Sequence, residues 1–221
     1  MELREYLAIR RAYNLVRQDM SADCRLTFVE LAILCRMSVL GRAMNTSEIA
    51  EYQGALRPTM THRTKHLSEL GFMVRSKGSA DRRNVVCEIT DEGKAFVDEA
   101  CGLICDILRS GSVLSRTTSR RMCNYIDAMG SLTCMSGDLV LLGVLQAPDG
   151  RCTVSDLVVA LGLLQPTVSM SVASLEGEGR IKRIKQDDAV GRSFDLALTD
   201  LGISHATKME ESIRALVIRR K

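Results

Sequence analysis

The stretch Leu56-Arg57-Pro58-Thr59-Met60-Thr61-His62-Arg63-Thr64-Lys65-His66-Leu67-Ser68-Glu69-Leu70-Gly71 returns as Leu164-Gln165-Pro166-Thr167-Val168-Ser169-Met170-Ser171-Val172-Ala173-Ser174-Leu175-Glu176-Gly177-Glu178-Gly179. Proline is tolerated in the first turn of a helix and glycine favours its end, so each copy predicts a helix stopping at Gly71 or Gly179. At helical spacing Met60, Thr64 and Leu67 share one side, as do Val168, Val172 and Leu175. The opposite side of the first copy then carries Thr59, His62, Arg63 and His66.

The echo extends outward. At an offset of 108, Glu30 to Lys77 aligns without a gap on Asp138 to Lys185, and eleven of the 48 pairs are identical, from Leu31/Leu139 to Lys77/Lys185. After one inserted residue the match resumes, with Arg83 against Arg192 and Thr90-Asp91-x-Gly93 against Thr199-Asp200-x-Gly202. A period this long exceeds the roughly 20 to 50 residues of a solenoid unit and predicts two whole domains, 1–110 and 111–221. Apolar residues are 46% of the chain but aromatics only 4%, with no Trp, so aliphatic helix-on-helix cores are expected.

Within the first copy the helix over 57–70 has a consistent setting. Residues 3–18 place Tyr6, Ile9, Tyr13 and Val16 on one helical stripe. Thr27 with Glu30 three residues on is a capping box for a buried helix from Phe28. Thr46 to Tyr52 predicts a two-turn helix ending near Gly54. A short helix, a turn and a second helix with an apolar inside and a cationic outside is a helix-turn-helix. Phe72–Ser76 and Arg83–Ile89 then read as two strands joined by a basic turn, a wing, and Thr90-Asp91-Glu92-Gly93 opens a helix to about Leu108. Residues 116–130 repeat the N-terminal helix for the second copy, and Leu201 to Val217 is the last helix. The fold class is mainly α with two small β-hairpin wings.

Net charge is +3, with sixteen basic and fifteen acidic residues in 1–110 and fourteen and twelve in 111–221. Bulk charge therefore diagnoses nothing, whereas its distribution does: Arg57 to Arg83 holds seven Lys or Arg against Glu69 and Asp81. No run approaches the roughly 18 apolar residues of a membrane span, and the charged amphipathic start is unlike a signal peptide, so a cytoplasmic protein without membrane association is expected. The eight cysteines form no Cys-x-x-Cys, which argues against a zinc site. Most read as packed thiols, with Cys24 and Cys101 the candidates for a redox sensor. His62 and His66 are one turn apart, but no further ligands stand at recognisable spacing. Neither a metal, a cofactor nor an enzyme is expected.

The run Leu26-Thr27-x-x-Glu30-x-x-x-Leu34, with Thr46-x-Glu48-Ile49-Ala50, Leu67-x-x-Leu70-Gly71-x-x-x-Arg75, and Asp81-Arg82-Arg83 followed by Thr90-x-x-Gly93, resembles the MarR family of winged-helix transcriptional regulators. The resemblance is closest over 26–96 and weaker over 132–205, and the duplication resembles the tandem two-domain members of the staphylococcal Sar branch. It implies two winged helix-turn-helix domains around a central helical bundle, built from helices 3–18, 91–108, 116–130 and 201–217. It also implies a single-chain pseudo-dimer, hence a monomer, with a homodimer as the other option.

The implied partner is double-stranded DNA, and an unidentified small-molecule effector is a second. In the first copy the helix from Arg57 would enter the major groove, Arg83 the minor groove, and Asp81 would brace the wing. Candidate DNA-binding residues are Arg57, Thr59, Thr61, His62, Arg63, His66, Lys77, Arg82 and Arg83, with Thr167, Ser169, Ser171, Lys185 and Arg192 in the second copy. The second copy departs from the pattern: its helix over 165–174 has no Lys or Arg, and Val190 stands where Asp81 stands. An asymmetric regulator is therefore expected, with the first copy dominant. The competing reading is an adaptor whose winged helices, the second above all, bind protein.

Overall fold

The computed structural model describes residues 1–21, 24–77, 85–111, 113–185 and 194–219. The expected wing residues Asp81, Arg82, Arg83 and Arg192 lie outside them. Two compact units are present. The first-repeat unit comprises residues 16–133 and 216–221, and the second-repeat unit residues 1–15 and 134–215. The expected 110/111 boundary thus falls inside the first-repeat unit, and each repeat is grouped with the opening helix that precedes the other.

In the first-repeat unit the order is α2 (Phe28–Leu40), β1 (Met44–Asn45), α3 (Thr46–Tyr52), α4 (Arg57–Glu69), β2 (Met73–Lys77), β3 (Val85–Ile89), α5 (Asp91–Arg109) and α6 (Ser119–Met129), after the last turn of α1 (Leu3–Asp19). Helix α2 buries Leu31 through Cys35 without interruption, the pattern of a helix wrapped on every side. Its start is the expected capping box: Glu30 N donates to Thr27 Oγ1 at 3.4 Å, and Thr27 N donates to Glu30 Oε2 at 2.7 Å. Gly41 ends it at φ 62°, where a side chain would be strained. Helix α3 is capped by Asn45, whose Oδ1 accepts from Ser47 N and Glu48 N. Helix α6 begins at Ser119, three residues later than the sequence suggested, because Thr118 takes the cap and accepts from Arg121 N.

The three strands run antiparallel in the order β1-β3-β2, with Arg75 opposite Cys87. Sequence reading missed β1, since two residues cannot show alternation. Phe72 stacks on Phe96 beneath the sheet, with ring centroids 4.5 Å apart. Thr90 fastens this sheet to the helices on either side: its N–H donates to Phe72 O at 3.1 Å, its hydroxyl donates to Gly71 O at 2.7 Å, and its Oγ1 accepts from Gly93 N.

The second-repeat unit repeats the scheme with α7 (Ser136–Gln146), β4 (Arg151–Cys152), α8 (Val154–Leu161), α9 (Gln165–Gly177), β5 (Ile181–Lys185), β6 (Phe194–Leu198) and α10 (Asp200–Arg214), its sheet ordered β4-β6-β5. Elements α9 and β5 begin and end 108 residues after α4 and β2, and β6 lies 109 after β3, as the inserted residue requires. Thr199 repeats the fastening of Thr90, donating to Arg180 O and Gly179 O. The first turns of α1 belong here for a local reason. Arg11 Nε donates to Val159 O at 2.9 Å and Asn14 Nδ2 to Leu161 O at 2.8 Å, so polar side chains of α1 satisfy carbonyls that the end of α8 leaves open. The backbone of α1 also comes close enough that a Cβ on Gly162 would meet Arg11 O at 2.8 Å.

Candidate nucleic-acid interface

Helix α4 is held by Met60, Thr64 and Leu67, all fully buried, with Thr64 Oγ1 donating back to Met60 O at 2.8 Å. This inward face fixes what points out. Thr59, Thr61, His62 and Lys65 are exposed along the first two turns, and Arg57 is exposed at the start, where its guanidinium donates to Ser47 Oγ of α3. Lys77 is exposed at the end of β2, where the described part of the wing stops. Five of the expected first-copy contacts, Arg57, Thr59, Thr61, His62 and Lys77, therefore stand open to solvent.

Arg63 and His66 depart from expectation. Arg63 Nη1 donates to Gln53 Oε1 at 2.7 Å, and Gln53, itself buried, donates through Nε2 to Val29 O at 2.7 Å. Burial lowers the Arg63 guanidinium from its ordinary value, while Glu30 pulls it back up. His66 Nδ1 lies 2.7 Å from Glu30 Oε1. Both side chains thus turn toward α2 and α3, and they tie the outer helix to the buried one while remaining half-exposed. Arg63 flanks the buried stripe, and His66, farther round the helix, is drawn in by Glu30.

Burial raises the Glu30 carboxyl, but hydrogen bonds from Thr27 and His66 outweigh it and hold the group below the usual carboxylate range. Sequence reading missed Gln53 altogether and saw Glu30 only as a cap. The partnership of Glu30 with a residue 36 positions away has no local signature.

The second copy presents a different surface. On α9, Val168, Val172 and Leu175 are buried, and Ser169 is exposed, while Thr167 is half-buried. Met170 occupies the place of His62 and is 74% exposed, Val159 of α8 is 67% exposed, and Leu164 is exposed as its counterpart Leu56 is. Ser171, expected to face outward, instead donates to Ser136 Oγ at 3.2 Å. Lys185 is exposed at the end of β5.

Residues 26–85 match the MarR family model. That family comprises DNA-binding transcription regulators, and the matched span runs from just before α2 to the first residue of β3, so it contains α3, α4 and the described part of the wing. No curated protein matches. Among solved structures, BpsR of Bordetella bronchiseptica shares 24% sequence identity over 47% of this chain and 72% of its own, with a TM-score of 0.38. It was solved in work on the regulation of BpsR DNA binding by 6-hydroxynicotinic acid. Among the described residues no helix is long and apolar enough to cross a membrane. The matched segment lies within the first repeat, and it includes the exposed N-terminal half of α4.

The cysteines are arranged otherwise than their spacing suggests. Cys24 is half-buried, but Cys101 is fully buried and so lacks the exposure that a simple redox sensor needs. It belongs to a cluster: the Sγ atoms of Cys35, Cys101 and Cys123, from α2, α5 and α6, all lie within 4.8 Å of one another. Hydrogen bonds from Cys101, Cys35 and Ser38 hold Cys123 below the usual thiol range, and burial pushes Cys35 up. Spacing could not reveal this grouping, because its three members come from three helices.

Proposed function

We propose that the chain is a transcription regulator that reads double-stranded DNA with α4 in the major groove. The observation that carries this is the two-faced α4. A locked apolar inner side leaves Arg57, Thr59, Thr61, His62 and Lys65 exposed along one edge, with Lys77 at the root of the wing. Such side chains suit phosphates and base edges, and exposure costs them nothing in a free protein. In this reading Arg82 and Arg83 at the wing tip reach the minor groove and Asp81 braces them, while Arg63 and His66 hold α4 in place without touching the duplex.

The pseudo-dimer belongs to the same proposal: one chain of the tandem, Sar-like kind supplies two winged helices, with the repeats dividing as 1–110 and 111–221 and terminal helices forming a central bundle. A duplex titration at several salt concentrations tests it. Lys77→Ala is expected to reduce the slope of log affinity against log salt by about one, and His62→Ala to cost about 1–3 kcal/mol with relaxed sequence preference. A flat salt response would remove the proposal.

A second reading is favoured for the second repeat, whose Lys185 and Arg192 remain the only expected cationic contacts. Met170 is 74% exposed where the first repeat has His62, and Val159 is 67% exposed where it has Glu51. That chemistry suits a protein partner better than phosphates. The effector is proposed to occupy a cleft of about 480 Å³ in the first-repeat unit, where Val16, Phe96 and Leu103 stand with Asp19, Glu99 and Asp106. Asp19 and Glu99, with Asp106 ion-paired to Arg109, favour an apolar cation over an organic acid, which thermal-shift measurements with paired lipophilic cations and anions would distinguish.

A further inference from the structure

Three buried thiols from three packed helices are an unusual chemical resource. Cys35 and Cys101 are completely buried and Cys123 is 6% exposed, and among the described residues no carboxylate or imidazole joins their grouping. The donor set is therefore three soft sulfurs. Hard cations, which take six or more oxygens, are excluded. Structural zinc takes four ligands, and the cluster offers three. A centre that completes its valence with three thiolates, and fills the fourth direction with its own lone pair, fits the set as it stands.

Charge selects within that class. Three thiolates carry three negative charges into an apolar helix junction, and an uncompensated buried charge is strongly disfavoured. A monovalent or divalent ion leaves the site anionic, whereas a trivalent centre makes it neutral. Access is also present: a cleft of about 290 Å³ bounded by Ser38 and Val39 of α2, Asp98 of α5 and Arg120 and Asn124 of α6 reaches Cys123. A small uncharged hydroxide species can enter it without desolvating an ion.

We propose that Cys35, Cys101 and Cys123 form a binding site for a trivalent thiophilic metalloid, bound as arsenite is bound by three thiols. The step balances without a redox partner. Three S–H bonds of the protein and three As–O bonds of arsenous acid break, three As–S bonds form, and the three protons leave on the three hydroxides as water, with arsenic trivalent throughout. The inference stands apart from the DNA reading, since it needs only the α2–α5–α6 junction.

Arsenite added to the reduced full-length protein provides the test. Native mass spectrometry should show one arsenic gained for three protons lost. Arsenic-edge X-ray absorption should show three sulfur neighbours and no oxygen, and the denatured complex should have five of its eight thiols free. Cys101→Ser should weaken binding by roughly 100-fold or more and place oxygen in the arsenic shell, while Cys24→Ser should change neither. The wild-type readouts stand even if a core variant fails to fold. Absence of an adduct, a shell of two sulfurs and one oxygen in the wild type, a three-sulfur shell surviving Cys101→Ser, or preferential uptake of zinc or copper(I) would each overturn the site.

Discussion

Glu30 shows how much one side chain can be asked to hold. Its carboxylate accepts from Thr27 N and Thr27 Oγ1, closing the start of α2, and meets His66 on α4. The equivalent Asp138 keeps both habits with different partners: it accepts from Met135 N and meets His205 Nε2 at 2.9 Å, but that histidine lies on α10. The same acid thus anchors the outer helix in one repeat and the last helix in the other. Glu30→Gln is expected to destabilise the protein by about 1–2 kcal/mol at neutral pH in chemical denaturation.

Because the folded Glu30 carboxyl lies below its unfolded value, its contribution is complete above the ordinary carboxylate range and fades as pH falls through the depressed folded value. The gap between wild type and Glu30→Gln should therefore close in acid and stay constant from neutral pH upward. A gap that widened in acid would contradict the assignment. At this scale the sequence exposed the cap, since Thr27 and Glu30 are three residues apart, but concealed the partner, since His66 comes close only once α4 is packed.

At the scale of elements the repeated Thr-Asp-x-Gly acquires a mechanical meaning. A Cβ on Gly93 would stand 2.2 Å from Phe72 O, and on Gly202 2.0 Å from Arg180 O, distances that backbone cannot tolerate. The threonine fastens the helix start, and the glycine lets the strand lie against it. Gly93→Ala should cost about 1–3 kcal/mol, with Gly202→Ala similar, measured by thermal unfolding of each variant. Helices were legible where start signals and apolar pattern agree, as at Thr27 before the mostly apolar α2 and at Thr90 before the striped α5. The two-residue β1 was illegible, being recruited by pairing with Val86 and Cys87 and not by any pattern of its own. On the expected outward face of α4, Thr59 and His62 are exposed, whereas Arg63 and His66 are half-buried against Gln53 and Glu30, partners that helical spacing cannot reveal.

For the whole molecule, duplication was the most legible feature and the grouping of its parts the least. Identities such as Pro58/Pro166 and Gly71/Gly179 register the repeats to the residue, whereas the docking of Arg11 and Asn14 on the end of α8 follows from tertiary contacts that no spacing encodes. The outer faces of α4 and α9 have diverged, with His62 in one and Met170 at the matching place in the other. Met170→Arg is expected to raise duplex affinity several-fold and steepen its salt dependence, read by fluorescence anisotropy. An unchanged affinity would place α9 away from the duplex.

The threonines at 90 and 199 carry a last consequence. Each bonds its own helix start to the residues that close the preceding helix, α4 or α9, so in each unit one side chain joins two helices. One threonine thus joins the end of α4 to the start of α5, like a rivet through two plates. Thr90→Ala should loosen that rivet, read as faster amide exchange at Gly93, whose N–H it holds.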